Sequence, residues 1–161
     1  MNKITLREAT VNDLELILAW RSIPAIYEGL YQQSKSHRHL NWNEHWNWWN
    51  SPYRSTWKIF IVEMNDTILR DIGYINIGQL DSWKPQIAVV IGELGLWGQG
   101  YGTEAVNLGC NWLKDNGYEA VWTTVLKSNL GSIRLFEKAG FTRGTNDGRE
   151  GEWEYEKRFD K

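Results

Sequence analysis

The chain is poor in several kinds of chemistry. It has one cysteine in 161 residues, which excludes an internal disulfide framework and any zinc site built from cysteines alone. It lacks an excess of one charge. Lysine and arginine total 18 against 20 aspartates and glutamates, a formal net charge of -2. Proteins that bind phosphate backbones or anionic membranes need a basic excess, so neither nucleic acid nor a membrane is an expected partner. No apolar run approaches the roughly 18 residues of a membrane-spanning helix, and Met1-Asn2-Lys3-Ile4-Thr5-Leu6-Arg7-Glu8 has no apolar stretch of the signal-peptide kind. There are only three prolines, and no repeats, low-complexity tracts or linkers. These absences predict a single cytoplasmic domain over residues 1–161, leaving a homodimer open. A chain of this size buries about 70% of its unfolded surface, enough for a core without disulfides or metal.

What is abundant is tryptophan, with 11 residues, five of them between Trp42 and Trp57. Indole rings are costly to leave in water, so most are expected in a core and some along a pocket.

The patterning predicts a mixed α/β domain. Ile4, Leu6 and Glu8 follow a strand pattern. Thr10 and Asp13 form a variant capping box for a helix that carries Leu14, Ile17, Leu18 and Arg21 and stops at Pro24. Residues 32–39 read as a loop and residues 43–49 as a second helix, capped by Asn41 or Asn43. Strands follow at 57–63 and 68–77. Ile87-Ala88-Val89-Val90-Ile91 is all apolar, as in a strand buried on both faces. A long helix is expected over 102–116, a strand over 121–125, a helix over 129–139 and a final strand over 153–159. In that last strand Glu150, Glu152, Glu154 and Glu156 alternate with Trp153 and Tyr155, as on the wet face of an edge strand, where Glu152 or Glu154 could border an acceptor site. Cys110 shares one helix face with Val106, Gly109 and Leu113, which reads as a small buried hydrophobe.

The sharpest local signal is Trp97-Gly98-Gln99-Gly100-Tyr101-Gly102-Thr103, between the apolar strand and the long helix. Alternating glycines let the backbone turn tightly, and the helix start behind them offers unpaired N–H donors and a positive dipole end. There is no Gly-Lys-Ser/Thr ending, so this is not a P-loop. Thr103 stands where a dinucleotide fingerprint needs its third glycine. What remains is a pyrophosphate cradle of another kind.

This segment, with Val90-Ile91-Gly92 before it, resembles the acetyl-CoA-binding core of the GNAT superfamily of N-acetyltransferases, whose loop reads Q/R-x-x-G-x-G/A. Gly100 and Gly102 match the glycines, and Trp97 stands where Gln or Arg is usual, as it often does in the branch of ribosomal-protein alanine acetyltransferases. A second block fits as well: Asn129, then Ser132-Ile133-Arg134-Leu135-Phe136-Glu137-Lys138-Ala139-Gly140-Phe141. The resemblance implies the GNAT fold, a mixed central sheet flanked by helices, and direct acetyl transfer from acetyl-CoA to a primary amine without metal. It implies that the strand ending Val90, Ile91 and Gly92 splays from its neighbour at a bulge and pairs with the cofactor arm, one N–H facing the thioester carbonyl. Gly98, Gln99, Gly100, Tyr101, Gly102 and Thr103 would hold the pyrophosphate, and Asn129 the cofactor arm or a bound water.

The acid and base are less direct. The tyrosine of many relatives is Phe136 here, and a glutamate often acting as base is Thr124. The hydroxyl three residues after Asn129, Ser132, is the expected proton donor to the thiolate, with helix capping as its alternative role. In the N-terminal third, Trp20-Arg21, Pro24, Ile26, Tyr31, Leu40 and Glu44-His45-Trp46 with Trp48-Trp49 resemble the branch that acetylates nucleotide-linked amino sugars of the pseudaminic acid type, although Ser22 replaces its usual Asn. There Trp20, Arg21, Glu44 and Trp49 would contact the acceptor, Arg21 its phosphates, and His45 would deprotonate its amine. His37, His39 and His45 show no metal-ligand spacing. The leading expectation is an amino-sugar N-acetyltransferase. An N-terminal alanine acetyltransferase of a ribosomal protein is the alternative, and a non-catalytic acyl-CoA-binding module is the rival of another class.

Overall fold

A computed structural model describes residues 3–30, 41–147 and 150–160. Tyr31, His37, His39 and Leu40, and the loop expected over 32–39, lie outside the described residues. Seven strands form one sheet: β1 (Ile4–Glu8), β2 (Lys58–Asn65), β3 (Leu69–Gly78), β4 (Gln86–Ile91), β5 (Ala120–Leu126), β6 (Thr142–Asp147) and β7 (Glu152–Arg158), in the order β1-β2-β3-β4-β5-β7-β6. All neighbours are antiparallel except β4 and β5. The helices are α1 (Leu14–Arg21), α2 (Pro24–Tyr27), α3 (Trp42–Trp49), α4 (Tyr101–Asp115) and α5 (Leu130–Lys138). This is the expected mixed sheet with flanking helices. No helix among the described residues is long and apolar enough to cross a membrane.

The sheet has a core on each face. On one, α4 and α5 bury Val106, Leu113 and Phe136 against Ile75, Ile87, Ile91, Val121 and Val125. On the other, α1, α2 and α3 close over Ile59, Ile61, Tyr74 and Val90 with Ile17, Trp20 and Ile26, and Trp48 and Trp49 pack at the edge. The capping box forms as the sequence implies. The Thr10 amide donates to Asp13 Oδ2 at 2.8 Å and the Thr10 hydroxyl accepts from Asn12, although the turn it starts is 3-10 before it becomes α1. Arg7 fixes that corner by two bonds to Asp13, at 3.0 and 2.8 Å, and one to Asp71 at 2.9 Å.

Four expectations need correction. The glutamate-rich strand β7 is not an edge strand, because the chain returns as β6 outside it, and Glu152 is only 2% exposed. The apolar strand β4 is not buried on both faces: Ala88 is exposed and Val89 half-buried, because β4 loses its neighbour there. The bulge expected in β4 is absent from its ladder with β3, which runs without a shift, and the irregularity falls between β2 and β3 at Val62/Glu63. The tryptophan cluster divides by helix face, with Trp48 and Trp49 turned inward while Trp42 and Trp46 stack outside at 5.9 Å, each about 40% exposed.

Candidate active site

β4 and β5 run parallel but share a single register pair, Gln86↔Trp122, with the Trp122 amide donating to the Pro85 carbonyl. Beyond it the strands separate, and a cavity of about 580 Å³ opens through the sheet. Its walls are Ala88 to Ile91 on one side and Thr123, Thr124 and Val125 on the other. The start of α4 and the inner face of α5 close one end and α2 the other.

The orientation of the β4 backbone follows from one hydrogen bond. The Gly92 amide donates to the Ile72 carbonyl at 2.7 Å, while Ile91 stands opposite Gly73. Peptide groups alternate sides along an antiparallel ladder, so Val90 and Gly92 face β3 whereas Val89 and Ile91 face the gap. The Ile91 N–H is therefore the donor at the end of the open edge. The Ile91 carbonyl accepts from the Trp97 indole Nε1 at 2.9 Å, which ties the glycine loop to the strand.

The three glycines of the loop serve different ends. Gly98 has φ +78° and Gly100 φ +91°, with nothing within 4 Å of a Cβ built on either, so their need is conformational. Gly102 is a packing glycine: a Cβ there would lie 2.3 Å from Leu135 Cδ1 on α5. Gly100 is also the N-cap of α4 and offers no side chain to the first turn, leaving the N–H groups behind it to accept an anion. That left-handed, side-chain-free cradle fits a pyrophosphate. Asn129 caps α5, its Oδ1 accepting the Ser132 amide at 3.1 Å, while its Nδ2 lies 2.8 Å from where a Cβ of Gly29 would be. The capping role weighed for Ser132 thus belongs to Asn129, and Ser132 is half-buried on the cavity wall.

Of the residues singled out from the sequence, Val90, Ile91, Gly98, Gly100, Tyr101, Gly102, Thr103, Asn129 and Ser132 line this cavity, as do Thr124 and Phe136. Gly92 and Gln99 do not. Gly92 is covered by Trp20, whose ring atoms lie 2.2 Å from a built Cβ, and Gln99 Nε2 donates back to the Gly95 carbonyl at 2.8 Å. The expected acceptor residues Trp20, Arg21, Glu44, His45 and Trp49 are not among the described residues that line this cavity. Trp20 is 6% exposed and stacks on Tyr74. Glu44 pairs with Asn41 at the start of α3, and Trp49 carries the Arg54 guanidinium at 3.9 Å. His45 is 3% exposed between α1 and α3; burial first, then the Arg21 charge, push its pKa below the usual histidine value, and its ring bonds to the Leu14 backbone. The histidine packs within the helical layer, with its Nε2 buried and without a hydrogen-bond partner among the described residues. Arg21 acts on His45 and Tyr74 there and does not line the cavity.

Sequence reasoning passed over Glu28 and Gly29 at the end of α2, and Arg134 and Lys138 on α5, all on the wall. Arg134 and Lys138 were findable: with Gly131 and Leu135 they repeat at helical spacing from the Asn129 cap.

A family model described as an acetyltransferase (GNAT) domain matches residues 3–142. An uncharacterized protein of Methanocaldococcus jannaschii is 43% identical over 155 residues, 96% of this chain, and the chain spans only 31% of that relative's length. The crystal structure of a domain from the same organism superposes with a TM-score of 0.91 at 41% identity, covering 98% of this chain and 99% of that one. An aminoglycoside acetyltransferase in complex with coenzyme A and kanamycin superposes with a TM-score of 0.79 at 22% identity, over 96% of this chain and 94% of the other.

Proposed function

The chain belongs to the acetyltransferase (GNAT) family, and from that premise we propose how it transfers an acetyl group and to what. Acetyl-CoA, the donor in this family, supplies the acetyl as a reactive thioester. The N–H groups at the start of α4, behind Gly98 and Gly100, hold the pyrophosphate, with Arg134 and Lys138 adding charge on the same side. The Asn129 amide donates to the cofactor arm. The Ile91 N–H supports the negative charge that develops on the thioester oxygen, a contact of a kind worth about 10²–10³ in rate. Ser132 passes a proton to the departing sulfur, an undemanding task because a thiolate is a good leaving group. The observation that carries this reading is the gap itself: β4 and β5 part after Gln86↔Trp122, leaving the Ile91 N–H on the open edge of a cavity whose wall also carries the glycine cradle and Ser132.

The acceptor is a compact, positively charged primary amine, of the amino-sugar or polyamine kind. Charge along the cavity supports this. Its wall carries Arg134 and Lys138 on α5, at the cofactor side, and Glu28 at the α2 side. A nucleotide-linked amino sugar needs cations at the acceptor end, and Arg21, the expected one, lies off the wall. The aminoglycoside acetyltransferase of the same fold, with kanamycin bound, accepts a ligand of the charge proposed here. Initial rates with acetyl-CoA and a panel of aminoglycosides, polyamines, nucleotide-linked amino sugars and alanine-initiated peptides test the reading. The highest kcat/KM is expected for a polycationic amine, and preference for a nucleotide-linked sugar or a peptide overturns the choice of acceptor.

A further inference from the structure

We propose that Glu154 is the general base that takes the proton from the incoming ammonium, an assignment that rests on the acetyl-transfer reading above. Thr124 lines the cavity where β5 leaves β4, and the β5–β7 register sets Glu154 directly beside it. Cross-strand partners project from the same face, their Cβ atoms about 5 Å apart. That face is the one away from α4 and α5, since Val121, Val125 and Tyr155, on the alternate positions, point into the α4–α5 core. Glu154 therefore stands on the α2 side, opposite the cofactor cradle, where an acceptor enters. Glu154 is itself set back from the cavity wall, behind Thr124; because Thr124 is short, the carboxylate one strand away reaches the gap over it through one water.

The surroundings of Glu154 favour this use. It is half-buried, and its carboxylate makes no hydrogen bond or ion pair among the described residues. Its neighbours on the same strand face are otherwise placed. Glu156 holds Lys84 Nζ at 3.0 Å, and Glu152, 2% exposed, lies beside Leu126. On the β6 side Gly144 presents no side chain, and a Cβ there would lie 3.9 Å from Glu154 Cγ. The cations Arg143 and Lys127 stack on Trp153 on the opposite face, at 3.2 and 4.1 Å from the ring centre.

The step balances as follows. The ammonium gives one proton to the Glu154 carboxylate and becomes a neutral amine. Its nitrogen pair forms the C–N bond as the carbonyl pair moves to oxygen, and the C–S bond then breaks. The nitrogen's second proton reaches the sulfur by way of Ser132, and Glu154 releases its proton to water, the net proton of the reaction.

Glu154→Gln keeps the size of the side chain and removes the base. With the best ammonium acceptor at neutral pH, its kcat/KM should fall about a hundredfold. With hydroxylamine, which is already unprotonated at that pH, it should stay within about twofold of wild type, and acetyl-CoA affinity should not change. Glu156→Gln should be near wild type with both nucleophiles, and Glu154→Asp should retain more activity than Glu154→Gln. Equal losses on both nucleophiles, or no loss on either, overturn the assignment while leaving acetyl transfer standing. A wild type that transfers to no amine overturns both.

Discussion

Gly100→Ala separates the cofactor cradle from the fold around it. The residue sits at φ +91° with no atom within 4 Å of the added Cβ, so the substitution meets strain rather than a clash. An L-residue in the left-handed region costs about 1–2 kcal/mol. For a domain of this length each kcal/mol shifts the melting temperature by about 2–4 °C, so a loss of roughly 2–8 °C is expected, with cooperative unfolding retained. Binding suffers more, because the same peptide aims the first N–H groups of α4. Losing one or two charge-assisted hydrogen bonds to the pyrophosphate costs about 2–4 kcal/mol, roughly a thirty- to thousandfold rise in Kd. Gly92→Ala should behave in the opposite way. Its Cβ would meet the buried Trp20 ring at 2.2 Å, so overpacking costs stability first, by about 1–3 kcal/mol or more. Calorimetric titration with acetyl-CoA and thermal melting of both variants check the pair. A Gly100→Ala protein that binds acetyl-CoA as wild type does would refute the cradle.

Ser132→Ala should lower kcat by roughly ten- to a thousandfold with little change in acetyl-CoA affinity; a turnover equal to wild type would leave water as the proton donor. Arg7→Ala should destabilise the domain by about 1.5–3 kcal/mol in chemical denaturation, because it strips charged hydrogen bonds from Asp13 and Asp71. The Arg7 guanidinium, ahead of the Thr10 amide, holds the Asp13 carboxyl below the usual carboxylate range. Its stabilising contribution is therefore complete above that range and is lost as pH falls through the lowered value. The stability gap between wild type and Asp13→Asn should accordingly close on acidification, and a gap that is constant with pH would contradict the pairing. Burial pushes the Cys110 thiol up to about 12, so a thiol reagent at pH 8 should label it only after unfolding, as mass spectrometry of native and denatured samples would show.

How much of this was legible in the sequence depended on whether the cause was local. Caps and glycine turns are local, so Thr10 with Asp13, and the breaks at Gly98 and Gly100, could be read from neighbouring residues. The strand order was not, because nothing near Glu152, Glu154 and Glu156 reports that β6 turns back outside β7. The alternation was read correctly and the edge position wrongly. Trp20, His45 and Trp49 were assigned to the acceptor by resemblance, and motif matching gave no sign that α1 and α3 turn them inward, off the cavity wall, with Trp20 covering Gly92 and His45 buried. Arg134 and Lys138 carried a periodic signal that the motif match to Asn129 and Ser132 overshadowed. Glu154 became interpretable only through a register with Thr124, a contact between residues 30 positions apart.

The most direct test of the central claim is amine-dependent release of free thiol from acetyl-CoA by the wild-type protein, with the product identified by mass spectrometry. The account predicts one N-acetylated product per thiol released, fastest with a small polycationic amine and negligible without any amine. Acetyl-CoA that binds tightly yet releases no more thiol with any amine in the panel than without one would contradict it, and would make the domain an acyl-CoA-binding module.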